Sequence, residues 1–250
     1  MAHSSLGIIL FRIIVLTLAI AAWQFAPFGR GMELWVSRPF LILARLWEWV
    51  DDGSLWPHLF ATGSEMIIGY LLGCASAIWL GLVLGMLPKL NRVLAPFLAA
   101  FYAMPKIALA PLFVIFFGIG LESKVALVWI TVFFLVFNNT LDGVRDVDRD
   151  LIQVLRIMGA RRSEIVRKIL LPSAAPWIFT GMRIAVRYAF TSALLAELMA
   201  ANRGLGFLIE YHSGSFDTTG AYAAILVIVI LSVGITEILS RIENSAGRGR

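Results

Sequence analysis

The sequence predicts an all-α membrane protein of six transmembrane helices, with one long basic connection between the fourth and the fifth. Three observations lead there. Of 250 residues, 60% are hydrophobic and 15% charged, with a mean hydropathy of +0.85. A soluble domain carries about 45–50% apolar and about 25% charged residues, so too little polar surface remains to cover a water-facing globule. Six runs approach or exceed the roughly 20 apolar residues that cross a hydrocarbon core about 30 Å thick. Lysine and arginine, finally, concentrate in alternate connections, as they do when one side of a membrane retains them.

The first run, 8–26, is interrupted only by Arg12, whose long side chain can snorkel from a helix end. Gln24, Pro27 and Arg30 follow where a signal peptide would show a small-residue cleavage site, so an uncleaved span is expected. Residues 30–58 hold Trp35, Trp47, Trp49 and Trp56 beside Asp51 and Asp52, a composition that suits an amphipathic helix at the membrane interface. Residues 1–60 are thus expected to form a helix plus an interfacial segment. Residues 61–243 form a core of five spans, and 244–250 a cytoplasmic tail.

Within the core, the second run, 63–87, places Gly69, Gly73, Ala77, Gly81 and Gly85 at a strict interval of four, which lines one helix face with small side chains. Lipid supplies no hydrophobic drive between helices, so such a face serves close van der Waals packing, dimerisation, or a sliding surface for a transport motion. The third run, 93–118, contains Pro96, Pro105 and Pro111, each lacking a backbone donor; the helix is expected to kink or break. Broken helices inside a membrane line cavities or are buried in protein, so Ala103 to Ala110 is either a pathway wall or a packing kink. The remaining runs are 123–141, 174–200 and 219–240.

Orientation follows from the connections. That between the fourth and fifth runs, 142–173, contains Arg145, Arg149, Arg156, Arg161, Arg162, Arg167 and Lys168 and is expected to be cytoplasmic. Alternation then puts both termini, Lys89, Arg92, Arg241, Arg248 and Arg250 on that side, leaving Arg30, Arg38, Arg45, Lys124 and Arg203 on the other. Topology therefore accounts for the basic pI, and nucleic acid is not needed as a partner. One cysteine, Cys74, forms no intrachain disulfide, and His3, His58 and His212 have no metal-ligand spacing, so disulfide and structural-zinc scaffolds are excluded.

Residues 150–172 read DLIQVLRIMGARRSEIVRKILLP. Leu151, Leu155 and Met158 recur at helical spacing, Gly159 interrupts, and Ser163 can cap a second short helix to Leu170, with Pro172 ending it before the next span. A short helix with an apolar face outside the membrane must bury that face, and a soluble partner's groove is one solution.

This spacing resembles the EAA loop of permease subunits of ATP-binding-cassette importers: Glu-Ala-Ala, three residues, Gly, nine residues, Ile, one residue, Leu-Pro. The corresponding positions are Gln153, Val154, Leu155, then Gly159, then Ile169, Leu171 and Pro172; the last four match while the namesake triplet departs. Residues 104–120 (MPKIALAPLFVIFFGIG), 138–144, 171–185 and 196–206 (AELMAANRGLG) are similar to the nitrate, sulfonate and taurine branch, so the likeness runs from about 58 to 243. It implies a type I importer permease in a bacterial cytoplasmic membrane. Its partners would be two ATPase chains holding ATP and magnesium, an extracytoplasmic binding protein and a second permease chain, most simply a copy of itself. It also implies that Gln153, Val154, Leu155, Met158, Gly159 and Ala160 contact the ATPase.

No Gly-x-x-x-x-Gly-Lys-Ser/Thr occurs, so ATP hydrolysis would belong to a partner, and the chain itself carries no cofactor or catalytic set. An ion-driven secondary transporter is the alternative; it should show repeated halves and a titratable relay. Among charged residues in the spans, Lys106 after Pro105 and Arg187 each cost roughly 2.5–3.5 kcal/mol on insertion scales. Either they line an anion pathway or they bond broken-helix carbonyls. Glu197, near the outer end of its helix, is expected to reach water or a backbone donor beside the turn holding Gly204 and Gly206; it either belongs to the pathway, as a gate or binding-protein contact at the outer mouth, or caps neighbouring structure.

Overall fold

The computed structural model describes residues 5–27, 29, 31–32 and 35–247. Arg30, Arg248, Arg250 and His3, used above, lie outside the described residues, as do the side chains of Arg149, Leu151, Arg156 and Arg162. Eleven α-helices are described: α1 (Ser5–Phe25), α2 (Pro39–Asp51), α3 (Leu55–Met86), α4 (Pro88–Ala103), α5 (Ala110–Phe117), α6 (Leu121–Arg145), α7 (Arg149–Ile157), α8 (Arg162–Ile165), α9 (Leu171–Met199), α10 (Leu205–Gly214) and α11 (Thr218–Gly247). Four segments are long and apolar enough to cross a membrane, Leu55–Met86, Leu121–Arg145, Ser163–Met199 and Thr218–Arg241, and the bent pair α4 with Lys106–Phe117 makes a fifth if taken as one span. In α1 the apolar stretch Leu10–Phe25 is shorter, and nearly all its side chains are exposed.

The stretch 30–58, expected as one amphipathic segment, is divided between two helices. α2 stops at Asp51, Gly53 turns the chain at φ +78°, and Leu55 already belongs to α3. The 32 residues of α3 extend for about 48 Å at 1.5 Å per residue, longer than a hydrocarbon core about 30 Å thick requires.

The third run is two helices meeting at 87°. Of its three prolines only Pro105 breaks the chain. Its ring forces the preceding Met104 into extended geometry (φ −65°, ψ 135°), whereas Pro111 occupies the first turn of α5, where no amide donor is required, and Pro96 is carried within α4. A single 3-10 turn, Lys106–Leu109, bridges the corner.

Pro172 does not end a segment. Helix runs from Ser163 to Met199 without interruption, through a π-helical turn at Val166–Leu170 immediately before the proline. A π turn shifts the hydrogen-bond register, and the shift lies where the proline ring removes a donor from the ladder.

The core is organised around α6, with α3 on one side and α9 on the other. The small face of α3 lies on α6 in register. A Cβ added at Gly69 would stand 2.6 Å from Val128, at Gly73 2.7 Å from Val132 and at Gly81 2.7 Å from Thr140; at Gly85 it would overlap Val144. Ala77, fully buried, belongs to the same packed cluster as Val136. Each step of four along α3 thus meets a β-branched step of four along α6, and a stripe covered within the chain is not a surface for a second copy. Against α9, Gly143 admits Trp177 and Gly181 admits Asn139. Close backbone approach between α6 and both neighbours is what dispersion alone can exploit in lipid.

Candidate functional site

At the end of the bundle carrying residues 142–173, α7 closes on a left-handed Gly159 (φ +83°). The amide of Ala160 donates to the Leu155 carbonyl at 2.9 Å and that of Met158 to Val154 at 3.0 Å, closing the helix C-terminus. A glycine is favoured for its φ alone, since a Cβ there would meet nothing within 4 Å. The described side chains of α7 and of the turn after it fall on two faces. Ile152, Leu155 and Ala160 pack onto Val144, Val147, Ile165, Leu170, Ala174 and Ile178, joined by Ile169. Gln153, Val154, Ile157, Met158 and Gly159 face outward, with Ile157 85% and Met158 76% exposed. Leu171 and Pro172 are also exposed. Of the residues the spacing singles out, Leu155, Ala160 and Ile169 therefore face the body of the protein. Ile157, which the motif passes over, is the most exposed apolar side chain among the described residues of the loop. Its position one turn after Gln153 was the available signal. Behind α7 lies a cavity of about 900 Å³ whose rim includes Lys89, Arg92 and Arg145.

At the opposite end, the turn preceding α10 wraps around Glu197. The Glu197 side chain is 1% exposed. Its Oε1 accepts from the Thr62 hydroxyl at 2.6 Å and its Oε2 from the Gly206 amide at 2.7 Å. Thr62 in turn accepts from the Leu205 amide at 2.9 Å, and the Gly204 amide donates to His58 Nδ1 at 3.1 Å. Gly204 is left-handed (φ +123°), and a Cβ there would overlap the Glu197 carboxyl; one at Gly206 would stand 2.5 Å from the Leu194 carbonyl. The expected backbone donor is thus found, but Glu197 is sealed from water. Beside it are two charges that reading by loop did not connect. Lys124, counted with the outer connections, is buried, and its Nζ lies 3.4 Å from Glu65 Oε1, itself 2% exposed.

A second polar group fastens the interfacial helix. Arg45 donates to Asp217 Oδ2 at 2.7 Å, His212 Nδ1 lies 2.9 Å from the same oxygen, and the Gly220 amide donates to Oδ1 at 3.0 Å. Burial pushes the Asp217 carboxyl up, but these donors outweigh it and hold it below its ordinary value of 3.8.

Lys106 and Arg187, the two basic residues singled out above, differ. At the corner after Pro105, the Lys106 ammonium donates to the Tyr102 carbonyl, where the helical ladder is interrupted, and lies 4.6 Å from the Tyr102 ring and 5.5 Å from Phe134. Arg187 stands exposed on α9, one turn from Ile184 and Thr191 on the same open face. Among the described residues, no group of three His, Cys, Asp or Glu could hold a metal ion.

A helical bundle with four or five segments able to cross a membrane and an apolar-tipped loop between two of them is the architecture of a polytopic membrane subunit. The chain belongs to the family of binding-protein-dependent transport system inner membrane components, which it matches over residues 69–245. It is 33% identical over 232 residues to the riboflavin transport system permease protein of Chloroflexus aurantiacus, covering 92% of this chain and 87% of that one. It is 31% identical to the formylaminopyrimidine transport permease protein of Halalkalibacterium halodurans, over 89% of this chain and 88% of that one. The identity to the taurine transport system permease protein of Escherichia coli is 33%, over 72% of this chain and 66% of that one. In fold it is similar to the inward-facing methionine transporter MetNI, with a TM-score of 0.62 at 21% identity over 78% of this chain and 98% of that one. The protein is a multi-pass inner-membrane permease subunit of an ATP-driven importer, without an ATPase site of its own. The ion-gradient alternative is set aside with the family assignment.

Proposed function

We propose that this permease works as a pair of chains with two ATPase subunits and an extracytoplasmic binding protein, both termini cytoplasmic, and imports a small anion by alternating access. The observation that carries the coupling role is the outward apolar tip of α7, Val154, Ile157 and Met158, on a helix whose other face is already packed. Such a tip seats in a groove of the ATPase, and Gly159 fixes its angle. When ATP draws the ATPases together, α8 and the helix continuous with it transmit the displacement into α9. Ile157→Asp with Met158→Asp in a reconstituted complex tests this. Binding-protein-stimulated ATP hydrolysis should lose its link to uptake while the protein inserts normally, and parent-rate uptake would end the docking role.

The anion reading rests on Arg187, an exposed cation midway along α9 with no acid set against it among the described contacts. It also draws on the taurine permease among the relatives. Lys106 has a carbonyl and two rings for company and serves the corner first. A planar heteroaromatic solute is the second reading, favoured by the exposed Phe101 and Tyr102 beside that corner and by the riboflavin and formylaminopyrimidine permeases among the relatives. Uptake of taurine against riboflavin, each with its own binding protein, separates the two; Arg187→Gln should slow only the anion. Orientation is tested by Ser213→Cys. Ser213 is exposed and Cys74 is buried, so an impermeant thiol reagent should label the variant from outside alone.

A further inference from the structure

The end of the bundle opposite the loop buries two carboxylates against one ammonium. Three of the four carboxyl oxygens can be followed to a donor. Glu197 Oε1 faces the Thr62 hydroxyl and Oε2 the Gly206 amide. Glu65 Oε1 faces Lys124 Nζ. Glu65 Oε2 is buried and has no protein donor, and Glu65 lies one turn along α3 from Thr62, whose hydroxyl bonds Glu197, so the two buried carboxyls are neighbours. Two ionised carboxylates so placed repel each other, and one of them would leave a bare acceptor in a low-dielectric site, a cost the single ammonium cannot offset twice.

We propose that Glu65 and Glu197 share one proton, carried on Glu65 Oε2 and donated to Glu197, and that this hydrogen bond joins the bonds that Thr62 and His58 already make from α3 to the Gly204–Gly206 turn and ties that turn, through Glu197, to Lys124 on α6. The proton comes from water before the helices close over the site. With it in place, every oxygen of the pair has a partner and the three groups sum to zero charge. Glu197 is the poorer carrier, because the Gly206 amide at its Oε2 can only donate. Glu65 is then a positioning residue. It touches no solute, and it acts through Glu197 on the turn that leads into α10, tying together α3, α6, α9 and α10. Buried hydrogen bonds of this kind matter most when every member is satisfied.

The test is infrared difference spectroscopy on the purified full-length protein near neutral pH, with deuterium exchange, together with thermal unfolding of the same samples. A protonated-carboxylic C=O band that shifts on exchange should be present in the parent and lost in Glu65→Gln. Glu65→Gln should also keep the parent unfolding midpoint, since its amide donates to Glu197 and its oxygen still accepts from Lys124. Glu65→Leu, which can do neither, should unfold at a clearly lower temperature. Absence of the band in the parent, its survival in Glu65→Gln, or a midpoint of Glu65→Gln as low as that of Glu65→Leu would each overturn the shared proton. None of these readouts depends on transport, so the inference stands or falls apart from the proposed function.

Discussion

The two ends of the bundle solve opposite problems. At the loop end, α7 and its closing turn pack Leu155 and Ala160, half-buried, against the bundle and leave Ile157 and Met158 in the open, with backbone bonds around Gly159 closing the helix. At the opposite end charged groups are buried and matched, and the turn carrying Gly204 and Gly206 is fitted so tightly to Glu197 that neither position admits a side chain. The contrast separates an apolar surface that the chain leaves uncovered from a polar cluster that it has already filled. An unfilled apolar tip gains free energy only when a partner covers it. A filled polar cluster can only lose free energy when it is disturbed.

That comparison breaks most visibly at Gly204. Replacing it with valine imposes both a left-handed strain and an overlap with Glu197, a cost of about 3 kcal/mol or more, read as a lowered unfolding midpoint in detergent. An unchanged midpoint would mean the turn is not fastened as described. The same substitution at the loop end should cost less. Gly159→Val meets open space, so only the backbone penalty of about 1–2 kcal/mol applies, and the loss should fall on ATPase coupling more than on folding.

Asp217 sharpens the comparison by pH. Its carboxyl is held low when folded, so its contribution is present above its ordinary value of 3.8 and is lost as pH falls through the folded value. Asp217→Asn should therefore be slightly less stable than the parent at neutral pH, by about 1 kcal/mol at most for a pair this exposed, and flatter in acid. Identical acid profiles would show that the Arg45 to Asp217 tie does not hold α2. The smallest stability effect is expected for Ile157→Asp, within about 0.5 kcal/mol because the side chain is in the open, yet its effect on coupled uptake should be among the largest.

How much of this was legible in the sequence differs residue by residue. Pro105 announced its own corner, because a proline acts on the residue before it and needs no tertiary partner. Gly159 announced its turn for the same local reason. Pro172 misled, since a π turn upstream let the helix run through it, and no local signal marks such a register shift. The start of α3 also escaped, because Leu55 to His58 share the composition of the preceding segment but form the first turn of the next helix, after the Gly53 turn.

Composition and periodicity by themselves determined that the chain is a helical membrane protein, where its apolar runs lie and that it carries a helix-Gly-helix loop, and motif resemblance determined its family. These properties reside in short stretches of chain, where hydropathy, proline geometry and charge act locally. Only the tertiary structure decided that the small stripe of α3 is spent on α6, that Leu155 and Ala160 face inward while Ile157 faces out, and that Lys124 leaves the outer connection to meet Glu65. Lys124 lies 59 positions from Glu65, and Glu197 lies 135 from Thr62. Pairings of that kind are fixed by how the helices pack against one another, which no local pattern encodes.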